Sequence, residues 1–76
     1  MSMGAVKDDE SQERKIDRLI GEILRQRRRS VNYSVEKVAE ALDVSGTSVS
    51  RYELGKAPIT FARFLIASRV LSVSSV

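Results

Sequence analysis

DVSGTSVSRYELG, residues 43–55, carries two glycines, three serines and a threonine between two runs of helical spacing. Small hydroxyl side chains compete for backbone hydrogen bonds and glycine is conformationally loose, so these residues suit a helix interior poorly. They do suit the edges of a short helix. Ser45 is an N-cap candidate and Gly55 a C-terminal stop, which predicts a helix over 46–54. Only Val49 and Tyr52 then need face inward, leaving Thr47, Ser48, Ser50 and Arg51 outward.

Upstream, Ser34 precedes VEKVAEAL, and Val35, Val38, Ala39 and Leu42 fall on one helical face. Ser34 fits an N-cap, although Lys37 stands where a full capping box would place Glu or Gln. Asp43 can take the left-handed conformation that ends this helix, a task more often given to glycine. Two short helices joined by so tight a turn predict a helix-turn-helix arrangement. Its packing demands are met in order: Ala39 is small at the close approach, and Val38, Val44, Val49 and Tyr52 can lock the pair.

Further out, Ile16, Leu19, Ile20, Ile23 and Leu24 recur at three- and four-residue intervals, predicting a first helix from about Gln12 to Arg29 or Ser30. Extending the stripe reaches Arg27, Arg28 and Val31, so an arginine lies on or beside the buried face. A guanidinium there needs a carboxylate partner. Asn32 can serve the left-handed turn after this helix. Downstream, Thr60 can cap a fourth helix with an inward stripe of Phe61, Phe64, Ala67, Ser68 and Leu71. Residues 1–11 are small and acidic without periodicity and are expected to form a disordered tail, leaving 12–76 as one domain. The closing LSVSSV fits either a frayed end or the start of another element.

Composition narrows the function. The 76 residues contain no cysteine and no histidine, which removes disulfides, most zinc sites and the commonest general base. No nucleophile–base set, phosphate loop or metal cluster is evident, so neither an enzyme nor a cofactor is expected. An apolar share of 42% with 30% charged residues fits a folded chain. Lacking a membrane-length apolar run or signal peptide, it is expected in the cytoplasm, with no membrane association and no small-molecule substrate evident. The net charge is only +3, but residues 25–29 read RQRRR. That cluster fits a polyanion partner or a solvated helix face, and charge alone leaves both open.

Residues 20–73 resemble the phage-repressor-like helix-turn-helix domains of the Xre or Cro/C1 type. The specific elements are SVSRYELG, matching a polar recognition helix followed by Tyr-Glu-x-Gly, the basic end of helix one with Arg28 at the family's arginine position, and the closing ARFLIASRVLSV. The resemblance implies an all-α, lambda-repressor-like bundle of four or five short helices with the helix-turn-helix at 35–54. It further implies that Arg28 pairs with Glu53 as a structural ion pair, and that Gly46, Thr47, Ser48, Ser50 and Arg51 face the bases of a DNA major groove. Arg51 could grip guanine or hold a phosphate. Arg25, Arg27, Arg29 and Lys56 would contact phosphate, as would Ser34, Val35 and Ser45 at helix N-termini, where capping alone is the other reading for the serines.

Two residues depart from the family pattern. Val35 replaces a usual glutamine, so only its backbone N–H could serve a phosphate, and Gly46 offers no side chain. Both bear on how strongly sequence is discriminated, and neither on the fold. The implied function is a sequence-specific double-stranded DNA-binding transcriptional repressor acting as a homodimer on a two-fold operator. A protein-interaction module of the same fold is the alternative, and a basic amphipathic helix on anionic lipid is a third. In this family a segment after the fourth helix commonly helps dimerise. Here the acidic N-terminal extension and long first helix would have to supply that surface, or the domain would be weakly dimeric alone.

Overall fold

The computed structural model describes residues 11–72. Of the tail expected over 1–11, residues 1–10 lie outside the described residues, as do 73–76 of the closing LSVSSV. Among the described residues the elements are α1 (Gln12–Ser30), α2 (Val35–Leu42), α3 (Gly46–Glu53) and α4 (Phe61–Val70). None is long and apolar enough to cross a membrane.

Each helix starts on a hydroxyl. Ser11, Ser34, Ser45 and Thr60 accept from the backbone N–H of Arg14, Lys37, Ser48 and Arg63, at 3.0–3.1 Å. Three of the four ends are closed by a residue of positive φ: Asn32 at 62°, Asp43 at 60° and Gly55 at 73°. Around each, two backbone N–H groups turn back to orphan carbonyls. Gly55 donates to the Tyr52 oxygen at 3.0 Å and Lys56 to that of Arg51 at 2.9 Å.

The core joins all four helices. Leu24, Val38, Ala39, Leu42, Val49, Tyr52, Ala67 and Leu71 are buried, with Ile20, Val31, Tyr33, Val35, Val44 and Phe64 among the side chains packed against them. Each fully buried aliphatic chain of this kind stabilises by about 1.5–3 kcal/mol. α3 lies against both α1 and α2, and α4 packs against α2. Tyr52 also accepts a hydrogen bond on its phenolic oxygen from Arg63 Nη1 at 3.3 Å, tying α3 to the first turn of α4.

The inward face of α1 differs from the expected stripe. Ile20, Gly21, Leu24, Arg28 and Val31 turn toward the other helices, whereas Ile16, Leu19 and Ile23 remain 50%, 62% and 51% exposed. Gly21 is the reason. A methyl group placed on it would lie 2.2 Å from the Tyr52 carbonyl oxygen and 2.7 Å from that of Glu53, so the end of α3 rests directly on the α1 backbone. Gly55 makes the reciprocal approach, since a methyl there would lie 2.7 Å from Arg18 Cα. With α3 seated on this sector, the isoleucine–leucine row points about a third of a turn away. In α4, Phe61 is likewise 74% exposed and Ser68 is exposed, while Phe64, Ala67 and Leu71 face inward.

Candidate nucleic-acid interface

The outer face of α3 is built by subtraction. Val49 and Tyr52 are buried and Glu53 turns toward α1, leaving Thr47 and Arg51 exposed one helical turn apart and Gly46, Ser48 and Ser50 half-buried. Ser48 is partly committed to the cap. Its N–H donates to Ser45 Oγ at 3.1 Å, and Ser45 Oγ donates back to Ser48 Oγ at 3.1 Å. Gly46, Thr47, Ser50 and Arg51 share one shallow depression with Val35 and Glu36 at the start of α2.

A neighbouring depression continues this surface to the end of α1, where Arg25 and Arg29 border Val35 and Ser50. Arg25 and Arg29 are four residues apart and so share a face. Arg27 points the other way, beside Ile23, Phe64, Ser68 and Leu71. The structure therefore brings Arg25 and Arg29 to α3 and leaves Arg27 on the α4 side. Ser34 and Ser45 head α2 and α3, each exposed, and each of those helix N-termini carries the unpaired N–H groups and partial positive charge that suit an anion. Lys56 is exposed just beyond the Gly55 turn.

Arg28 lies beneath this surface. Its Nε donates to Glu53 Oε2 at 2.6 Å and its Nη2 to Oε1 at 3.0 Å, while Nη1 donates to the Tyr33 carbonyl oxygen at 3.0 Å. The guanidinium thus joins α1, the α1–α2 turn and the end of α3. Side-chain exposures of 14% and 7% make this a largely desolvated pair. The hydrogen bonding of Arg28 to the Glu53 carboxylate raises the Arg28 pKa above the usual arginine value; burial opposes this, and the charges of Glu53 and, more weakly, Glu36 reinforce it. Beside the pair, the Lys37 ammonium sits 4.6 Å from the Tyr33 ring centroid, a cation–π contact that steadies the same turn.

Two residues of this region escaped the sequence reading. Gly21 had a signal, because a glycine inside a helical pattern marks a close approach. Glu36 had none beyond its place in the first turn of a helix, where an acid ordinarily complements the dipole.

Searches of curated proteins and of solved structures each found no match to the chain. Residues 24–76 match the helix-turn-helix family model, a span that includes α2, the turn and α3. A match over more than half the chain, with the polar outer face of α3 inside it, places the protein in the helix-turn-helix family of the Xre and Cro/C1 type, whose domains are DNA-binding regulators.

Proposed function

We propose that the protein is a sequence-specific transcriptional repressor that binds double-stranded DNA with α3 in the major groove and occludes its operator without chemistry. The observation that carries this reading is the shared surface of Thr47, Ser50 and Arg51 with the starts of α2 and α3 and with Arg25 and Arg29. Gly46, Thr47, Ser48, Ser50 and Arg51 would face base edges, and Arg51 has the fork geometry for guanine O6 and N7. Arg25, Arg29, Lys56, Ser34, Ser45 and the Val35 N–H would hold phosphates and set register.

Selection of duplexes from a random pool tests the proposal. The protein should enrich one sequence, and its affinity should fall steeply as salt rises. Arg51→Ala should then cost about 1–3 kcal/mol on the selected site while barely changing binding to random duplex. An equal loss on every duplex would make Arg51 a phosphate contact. The second reading, a protein-interaction module of the same fold, is favoured by Val35 and Gly46, which remove two polar side chains from the surface. Absence of duplex binding at low salt would select it.

We infer a homodimer as the binding unit, with Ile16, Leu19 and Ile23 of α1 as its contact row. This row lies about a third of a turn from the face carrying Arg25 and Arg29, so a second copy seated on it leaves the α3 surface open. Lys15 and Glu22 flank Leu19 along one groove. Antiparallel pairing centred between Arg18 and Leu19 places Lys15 of one copy opposite Glu22 of the other. In sedimentation equilibrium the apparent mass should approach twice that of the monomer as concentration rises. Ile16→Ser, Leu19→Lys and Ile23→Ser together should hold it at the monomer with helicity unchanged; a variant that still dimerises sinks this interface.

A further inference from the structure

Gly46 has room for a side chain. A methyl group on it would meet only Glu36 Oε2 at 3.5 Å and Val35 Cγ1 at 3.7 Å, both ordinary contacts. Packing therefore does not require glycine at the first position of α3. What the missing side chain does is leave a carboxylate at the mouth of the depression that also holds Thr47, Ser50 and Arg51. Glu36 is exposed and is the only acid lining that depression. Among the described residues it makes no ion pair with Arg51, so the two opposite charges stand separately on one surface.

We propose that Glu36 is a specificity-determining residue, and that its carboxylate accepts a hydrogen bond from the N4 amino group of a cytosine in the major groove. The inference rests on the DNA-reading function proposed above. A carboxylate has acceptors only. Against a base edge it is repelled by guanine O6 and N7 and by thymine O4, and at adenine the N7 acceptor beside the N6 amino group opposes it. Cytosine presents its amino donor there without that conflict. The carboxylate also repels phosphate, so a position for it within the interface is tolerable only where an amino group is met. With Arg51 suited to guanine, the depression carries a matched donor and acceptor for a site in which a guanine and a cytosine lie close together. Gly46 thus vacates one position, and the Glu36 carboxylate lies beside the space it leaves.

The experiment is parallel selection from one random duplex pool with the wild-type chain, Glu36→Ala and Glu36→Gln, followed by affinity measurement on the enriched site and its single-base variants. The wild type should enrich cytosine at one fixed position. Glu36→Ala should erase that preference alone, a loss of roughly 5- to 150-fold in discrimination, with the other positions unchanged. Glu36→Gln should shift the same position toward adenine, which an amide can engage at N6 and N7 together. Circular dichroism should show both variants folded, because the side chain is exposed. An unchanged enriched sequence with Glu36→Ala overturns the proposal, as does a uniform gain of affinity on all duplexes, which would reduce Glu36 to a repulsive charge. If the wild type enriches nothing, the DNA-reading function itself falls, and this assignment with it.

Discussion

Replacing Glu53 with alanine should lower the unfolding free energy by about 3–5 kcal/mol, the usual cost of stranding a buried charge. Arg28 would keep its bond to the Tyr33 oxygen but lose both carboxylate contacts while remaining largely out of water. A domain of this size has a total stability of about 4–11 kcal/mol, so the variant should lose a large fraction of it. Urea denaturation followed by circular dichroism checks this. Arg28→Met with Glu53→Leu should recover most of the loss, because the cost lies in the surviving charge rather than in the absence of a favourable pair. A double variant as unstable as Glu53→Ala would show that the geometry of the pair matters in itself. The pH dependence on the arginine side has a definite sign. With a raised folded-state pKa, the Arg28 contribution is complete below the usual arginine value and fades only as pH climbs through the raised one. Arg28 therefore causes no loss of stability on raising the pH from neutral until strongly alkaline solution.

Gly21→Ala should also destabilise, by less and for a different reason. Alanine gains about 1 kcal/mol of helix propensity over glycine. Its methyl group, however, would sit 2.2 Å from a backbone oxygen of α3, and no side-chain rotation relieves that contact. Overpacking of this sort costs about 1–3 kcal/mol and occasionally more. Since only displacement of α3 can relieve it, the cost should fall near the top of that range, and after the propensity gain a net loss of about 2 kcal/mol is expected, measured by the same denaturation. Gly46→Ala is the control, because the new methyl there meets only ordinary contacts. If Gly21→Ala proves neutral, α1 and α3 are not held as closely as described.

The turns of this fold are legible in the sequence because their chemistry is local. Asn32, Asp43 and Gly55 are residue types that accept positive φ, and each follows a run of helical spacing. The hydroxyls before each helix are equally plain. Arg28 could be seen to need a partner from its place in the apolar stripe, but the choice of Glu53 depended on the family resemblance. The side of α1 that faces inward was misjudged because apolar spacing shows that a stripe exists, not which neighbour covers it. That was decided by Gly21, whose importance lies in what is absent from it and in a carbonyl more than thirty positions along the chain. Glu36 was overlooked for the same reason, as its meaning depends on facing Gly46 across the helix-turn-helix.

The glycine crossing also has a mechanical consequence. At Gly21 the end of α3 rests backbone on backbone against α1, with no long side chain between them to yield under load. A force applied to the outer row of α1 therefore reaches α3 undamped. If two copies join through that row, the pair behaves like a rigid caliper rather than a hinge. Such an instrument accepts one gap between its jaws, and a base pair inserted between the two halves of its target is measured in full.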